Sequence, residues 1–113
     1  MQEIMIDNKN ADVSVVTLPK NVLGGNDALE FSGYIEQICN ENKKAIIVNL
    51  ADVELMNSSG LGMLVSALSK TKKNKIDLYL VAVPEKVNTL LKMTHLDELF
   101  KTAADAEAAI ECI

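Results

Sequence analysis

The polar chemistry of this chain is concentrated in one run, Met56-Asn57-Ser58-Ser59-Gly60-Leu61-Gly62, placed just ahead of a helical pattern. Asparagine and serine at a helix start accept hydrogen bonds from first-turn amides, so Asn57 or Ser58 can serve as a cap that contributes about 1 kcal/mol. Two catalytic arrangements fail on spacing. A nucleophile elbow needs glycine two residues before and two after its serine, but Met56 stands before Ser58 and Asn57 before Ser59 at that distance. A phosphate-binding loop needs lysine and then serine or threonine after its second glycine, whereas Gly62 is followed by Met63-Leu64. A phosphate carried by a serine at a helix start gains from free amides and from the positive end of the helix dipole. It would also project about -1.5 to -2 charges toward anything docked beside the helix.

No second cluster supports catalysis or metal binding. His95 is the single histidine and has no companion ligand or nucleophile, so it reads as a loop or surface residue. Cys39 and Cys112 lack metal-ligand spacing and read as buried or incidental thiols. Neither a metal nor a cofactor is expected. The 16 acidic and 11 basic residues give a net charge of -5, and every basic residue is lysine. Nucleic-acid modules use a basic face and arginine, which makes a nucleic-acid partner unexpected. No stretch approaches the roughly 18 apolar residues of a membrane helix, and Met1-Gln2-Glu3-Ile4 lacks the basic-then-apolar pattern of a signal peptide. The expectation is a cytoplasmic protein without membrane insertion. A length of 113 residues with 49% hydrophobic and 24% charged content predicts one globular domain over residues 1–113.

The elements that must position the serine run can be read from periodicity. Gln2 to Asp7 and Asp12 to Leu18 have apolar residues near period two around Asn8-Lys9-Asn10 and predict a hairpin. The loop Lys20 to Asn26 follows, with Asn26 or Asp27 as a predicted cap for a helix carrying Ala28, Phe31, Ile35 and Ile38 on one stripe. Ala45-Ile46-Ile47-Val48 predicts a central strand buried on both faces. After Asn57 a second helix is predicted with Leu61, Leu64, Val65 and Leu68 inward and lysines from Lys70 near its C-terminus. Ile76 to Val83 predicts another strand, Pro84 the first residue of a helix with Val87, Leu90 and Leu91, Leu99 to Thr102 a last short strand, and Asp105 the cap of a closing helix. This is an α/β order, with a mixed sheet of four to five strands and about four helices.

Taken together, the element order and the Asn57-Ser58-Ser59-Gly60-Leu61-Gly62 run after the apolar and acidic loop Asn49 to Met56 resemble the STAS domain of bacterial anti-sigma factor antagonists. Glu107-Ala108 in the last helix adds weaker support. The resemblance implies a single STAS domain without catalytic activity that works by partner switching. It implies phosphorylation on Ser58 by an anti-sigma factor that is also a serine kinase, and reversal by a phosphatase. Two positions depart from the family pattern. Asn57 stands where aspartate is frequent, and Lys20-Asn21-Val22-Leu23 stands where Gly-x-Leu-Asp is frequent, so a contact made by that acid does not carry over to Leu23.

The predicted helix phase turns Gly62, Met63 and Ser66 outward, so that with Met56, Asn57, Ser59 and Gly60 they form a small, uncharged zone for a partner beside Ser58. The alternative role for Met56 and Met63 is to fill gaps beneath neighbouring loops. At the level of function two alternatives stay open: a STAS scaffold subunit in a transporter-associated or multi-protein signalling complex without a phosphoswitch, and a small enzyme or nucleotide-binding protein using the helix start as an anion site.

Overall fold

The computed structural model describes residues 4–8 and 12–112. Its elements are β1 (Met5–Asn8), β2 (Val13–Thr17), β3 (Asn21–Val22), α1 (Asn26–Cys39), β4 (Ala45–Asn49), β5 (Leu55–Met56), α2 (Ser58–Lys73), β6 (Asp77–Val81), α3 (Glu85–Met93), β7 (Lys101–Ala103) and α4 (Ala106–Glu111), with a 3-10 turn at Leu96–Glu98. Five strands form one mixed sheet in the order β1-β2-β4-β6-β7. The pair β1–β2 is antiparallel, as the hairpin reading requires, and the other pairs are parallel. Gln2, Glu3, Lys9 and Asn10 of that hairpin reading lie outside the described residues.

Strand β4 occupies the middle of the sheet because both of its faces are apolar. Ile46 and Val48 point to one side, where Phe31, Ile35 and Ile38 of α1, Leu61 and Leu64 of α2, and Val87 and Leu91 of α3 complete the larger core. Ala45 and Ile47 point to the other side and join Val13, Val15, Tyr79 and Val81 beneath Ala109 of α4. Thus three helices cover one face and the short α4 covers the opposite one.

Three local readings are corrected. The N-cap of α1 is Gly25, at φ +67°, rather than Asn26 or Asp27. Pro84 is the cap of α3, one residue ahead of its predicted place. The third correction concerns the rotation of α2, whose buried residues are Gly60, Leu61, Met63, Leu64, Ala67 and Thr71. At 100° per residue this stripe is turned about 80° from the one centred on Leu61, Leu64, Val65 and Leu68. Val65 is therefore exposed, while Met63, read as outward, is only 5% accessible. The reason is Gly60: a Cβ there would sit 2.1 Å from the Val22 carbonyl oxygen, so its absence lets this side of α2 close onto the β3 backbone.

Candidate functional site

The start of α2 is held by two segments distant in sequence. Strand β3 pairs in parallel with β5, Asn21 opposite Leu55 and Val22 opposite Met56. The Glu54 and Leu55 amides both donate to the Lys20 carbonyl, at 2.7 and 3.1 Å. This small ladder delivers the chain to Asn57, whose extended backbone (φ -112°, ψ -176°) turns it into the helix. The Asn57 side chain then acts twice. Its Oδ1 accepts from the Gly60 amide at 2.9 Å, and its Nδ2 donates to the Leu23 carbonyl at 3.3 Å. The two positions that depart from the family pattern therefore touch, and the amide of asparagine makes a bond that aspartate has no proton to make.

With Asn57 as the cap, Ser58 is free of that task. It is the first residue of α2 and is exposed, as is Ser59. The Gly60 amide is taken by Asn57 Oδ1 and the Leu61 amide by the Asn57 carbonyl at 2.9 Å. The Ser58 and Ser59 amides precede the first intrahelical bond and so face outward without an intrahelical acceptor. The first turn carries no acidic residue, while Lys70, Lys72 and Lys73 lie in the last turn. The positive end of a 16-residue helix is thus left without a compensating carboxylate in its own first turn.

Ser59 packs against Gly24, where an added Cβ would approach the Ser59 Cβ to 2.8 Å and where φ is +88°. Gly24 was legible only as a loop residue; its contact with the site depends on the loop folding back over α2. Met56 is half-buried in β5, Asn57 is exposed, and Gly62 and Ser66 are exposed on α2 as expected. Gly60 is buried and sets the approach of the helix. Met63 is corrected from an outward contact to a core residue, where its flexible thioether fills space between α1 and α2. Above it lies a groove of about 200 Å³ bounded by α1 and by Ser59, Gly62 and Ser66.

The groups with shifted titration lie elsewhere. Burial pushes the Cys39 thiol up, with Lys70 opposing this effect. The hydrogen bond to Asp77, at 2.8 Å, raises the Lys101 ammonium. His95 is exposed and sits at φ +60° ahead of the 3-10 turn. Among the described residues no group of three or more His, Cys, Asp or Glu side chains could hold a metal ion. No helix among them is long and apolar enough to cross a membrane.

Comparison with known proteins supplies the family. A model of the STAS domain matches residues 5–109. An anti-sigma-B factor antagonist of Staphylococcus epidermidis is 37% identical over 59 residues, which is 52% of this chain and 55% of that protein. The chain therefore spans about half the length of the curated relatives it matches. Among solved structures, the Thermotoga maritima protein TM1081 aligns with a TM-score of 0.79 at 27% identity, covering 96% of this chain and 92% of that one. The Bacillus protein SpoIIAA in its phosphorylated form aligns with a TM-score of 0.77 at 14% identity, covering 98% and 100%, and shares the fold. The five-stranded mixed sheet, the glycine-packed start of α2 and a family match over nearly all of the chain lead to one conclusion: this chain belongs to the STAS domain family.

Proposed function

We propose that this protein is a cytoplasmic anti-sigma factor antagonist, a single non-enzymatic STAS domain that works by partner switching. In its unmodified form it docks on an anti-sigma factor that is also a serine kinase, and the sigma factor is released. Phosphorylation of Ser58 ends the docking, and a phosphatase restores it. The observation that carries this reading is the division of labour at the start of α2: Asn57 supplies the cap, which leaves Ser58 exposed at the positive end of the helix. A capping serine would be spoken for, whereas this one is positioned to be modified. The names of the staphylococcal relatives support the same role.

Exposure supports a docking surface at Ser58: Asn57, Ser59, Gly62 and Ser66 are exposed and Met56 is half-buried. A phosphate within such an interface brings like-charge repulsion and a desolvation cost. A loss of about 3 kcal/mol weakens binding by roughly a hundredfold.

The test begins with intact mass and site mapping of the protein from its own cells, with phosphatase treatment as control. One phosphate on Ser58 supports the switch. Pull-down with S58A and S58D then identifies the kinase: S58A should retain it and S58D should lose it. A stable complex indifferent to S58D would replace the switch with a scaffold role.

A further inference from the structure

We infer that the groove between α1 and α2 is a binding site for small organic monocarboxylates, with the Lys70 ammonium donating hydrogen bonds to the carboxylate. Its floor is apolar and built from both helices: Phe31 and Ile35 of α1, Met63 and Ala67 of α2, each buried. Its sides are low because the residues there are small, notably Ser66 and Gly62. Gly62 is informative because a Cβ added there would meet no atom within 4 Å. Nothing inside the protein requires glycine at this position, although glycine within a helix is less favourable than alanine. The space it leaves opens into the groove.

Lys70 bounds the same groove and is half-buried. Its ammonium donates to the Ser32 hydroxyl across the two helices. An ammonium has three donors, so two remain. Glu36 shares the adjoining hollow with Lys70, yet among the described residues no carboxylate is ion-paired with Lys70. A cation beside an apolar floor with no anion of its own selects an amphiphilic anion: an apolar body over Met63 and Phe31, and a carboxylate at Lys70. Size narrows the class further. Apolar cavities of about 150 Å³ accept benzene, so a groove of about 200 Å³ suits a body of similar or slightly greater bulk. Hexanoate and benzoate meet these conditions, whereas acetate lacks the apolar body. Binding there does not require Ser58 to be a phosphoacceptor.

The experiment is a titration of the isotope-labelled, full-length protein with hexanoate, followed by two-dimensional NMR, with hexanol and acetate as probes lacking the charge or the chain. Saturable shifts at Ser32, Ile35, Gly62, Ser66 and Lys70 are expected, with a Kd below about 1 mM and hexanol and acetate at least about tenfold weaker. K70M should weaken hexanoate by about tenfold, and G62L, which projects a side chain into the groove, should abolish saturation while keeping the fold and melting no lower than the wild type. Hexanol binding as well as hexanoate, K70M binding like the wild type, shifts outside the groove, or no saturation would each overturn the assignment.

Discussion

At the start of α2 the Asn57 side chain accepts from the Gly60 amide at 2.9 Å, and at the start of α4 Asp105 accepts from the Ala108 amide at 2.8 Å. Both caps have extended backbones and both satisfy the donor three residues on. The electrostatic settings differ. Helix α4 has six residues, a charged cap and Glu107 in its first turn. Helix α2 has 16 residues, a neutral cap and no acid in its first turn. The positive end of α4 is already compensated and that of α2 is not. Capping alone, then, does not distinguish the two helix starts; the missing charge and the exposed serine at the next position do, and on them rests the proposal that Ser58 is modified.

The largest expected effect breaks the packing beneath α2 and has no counterpart in α4. A Cβ on Gly60 would lie 2.1 Å from the Val22 carbonyl oxygen and 2.9 Å from its carbon, both backbone atoms that cannot rotate away. G60A should cost about 3 kcal/mol, as severe overpacking does, and lower the melting temperature by about 12 °C. G62A, facing open space two residues later, should stabilise by about 0.5–1 kcal/mol. Thermal unfolding of the two variants decides the matter. If G60A melts with the wild type, the close approach to β3 is not what orients the helix.

A second effect of similar size concerns docking. If the proposed complex with an anti-sigma factor kinase forms, S58D should weaken it by roughly a hundredfold, while D105N, which changes charge at the other capped start, should leave it unchanged. Equal losses in both, read by titration calorimetry, would mean that net charge rather than position governs the complex. Removing the caps is a smaller perturbation. D105A should cost about 1 kcal/mol, and N57A about 1.5 kcal/mol because the bond to the Leu23 carbonyl disappears as well. Urea midpoints measure both. If N57A is the milder variant, the link to Leu23 contributes nothing to stability.

The difference between these helices was partly legible in the sequence. Asp105 stood ahead of a short apolar pattern and was read as a cap, and the continuous run Ala45 to Val48 announced the central strand; both signals are local. The place of Ser58 at the start of a helix was also legible, from the cap-capable run ahead of the apolar pattern. The rotation of α2 was not, because it is set by contact between Gly60 and Val22, 38 residues apart in the numbering. Leu61, Leu64, Val65 and Leu68 form a good apolar stripe by themselves, and only tertiary contact selects the competing one through Met63. The β3–β5 ladder escaped for a related reason: two residues per strand give no period to read. The bond from Asn57 to Leu23 spans 34 positions and has no local signature at all.

That bond shapes the smallest and most discriminating prediction, the salt response of exchanging the two caps. D105N removes a charge that interacts favourably with its helix dipole, which contributes about 0.3–1 kcal/mol at low ionic strength. Its destabilisation should shrink toward zero as salt approaches about 1 M, where the screening length is only about 3 Å. N57D introduces the equivalent favourable charge but removes the amide donor to the Leu23 carbonyl and turns a carboxylate oxygen toward it. At low salt gain and loss should nearly cancel, to within about 0.5 kcal/mol. At high salt the dipole contribution is screened while the missing hydrogen bond is not, so N57D should become the less stable protein. The two variants must therefore move in opposite directions relative to the wild type as salt is raised. Denaturant midpoints in low and high sodium chloride provide the measurement: N57D falling below the wild type at high salt is the expected result, whereas N57D starting above the wild type and returning to its midpoint would show that Asn57 is held for its cap alone, leaving the Leu23 loop to be positioned by the β3–β5 ladder.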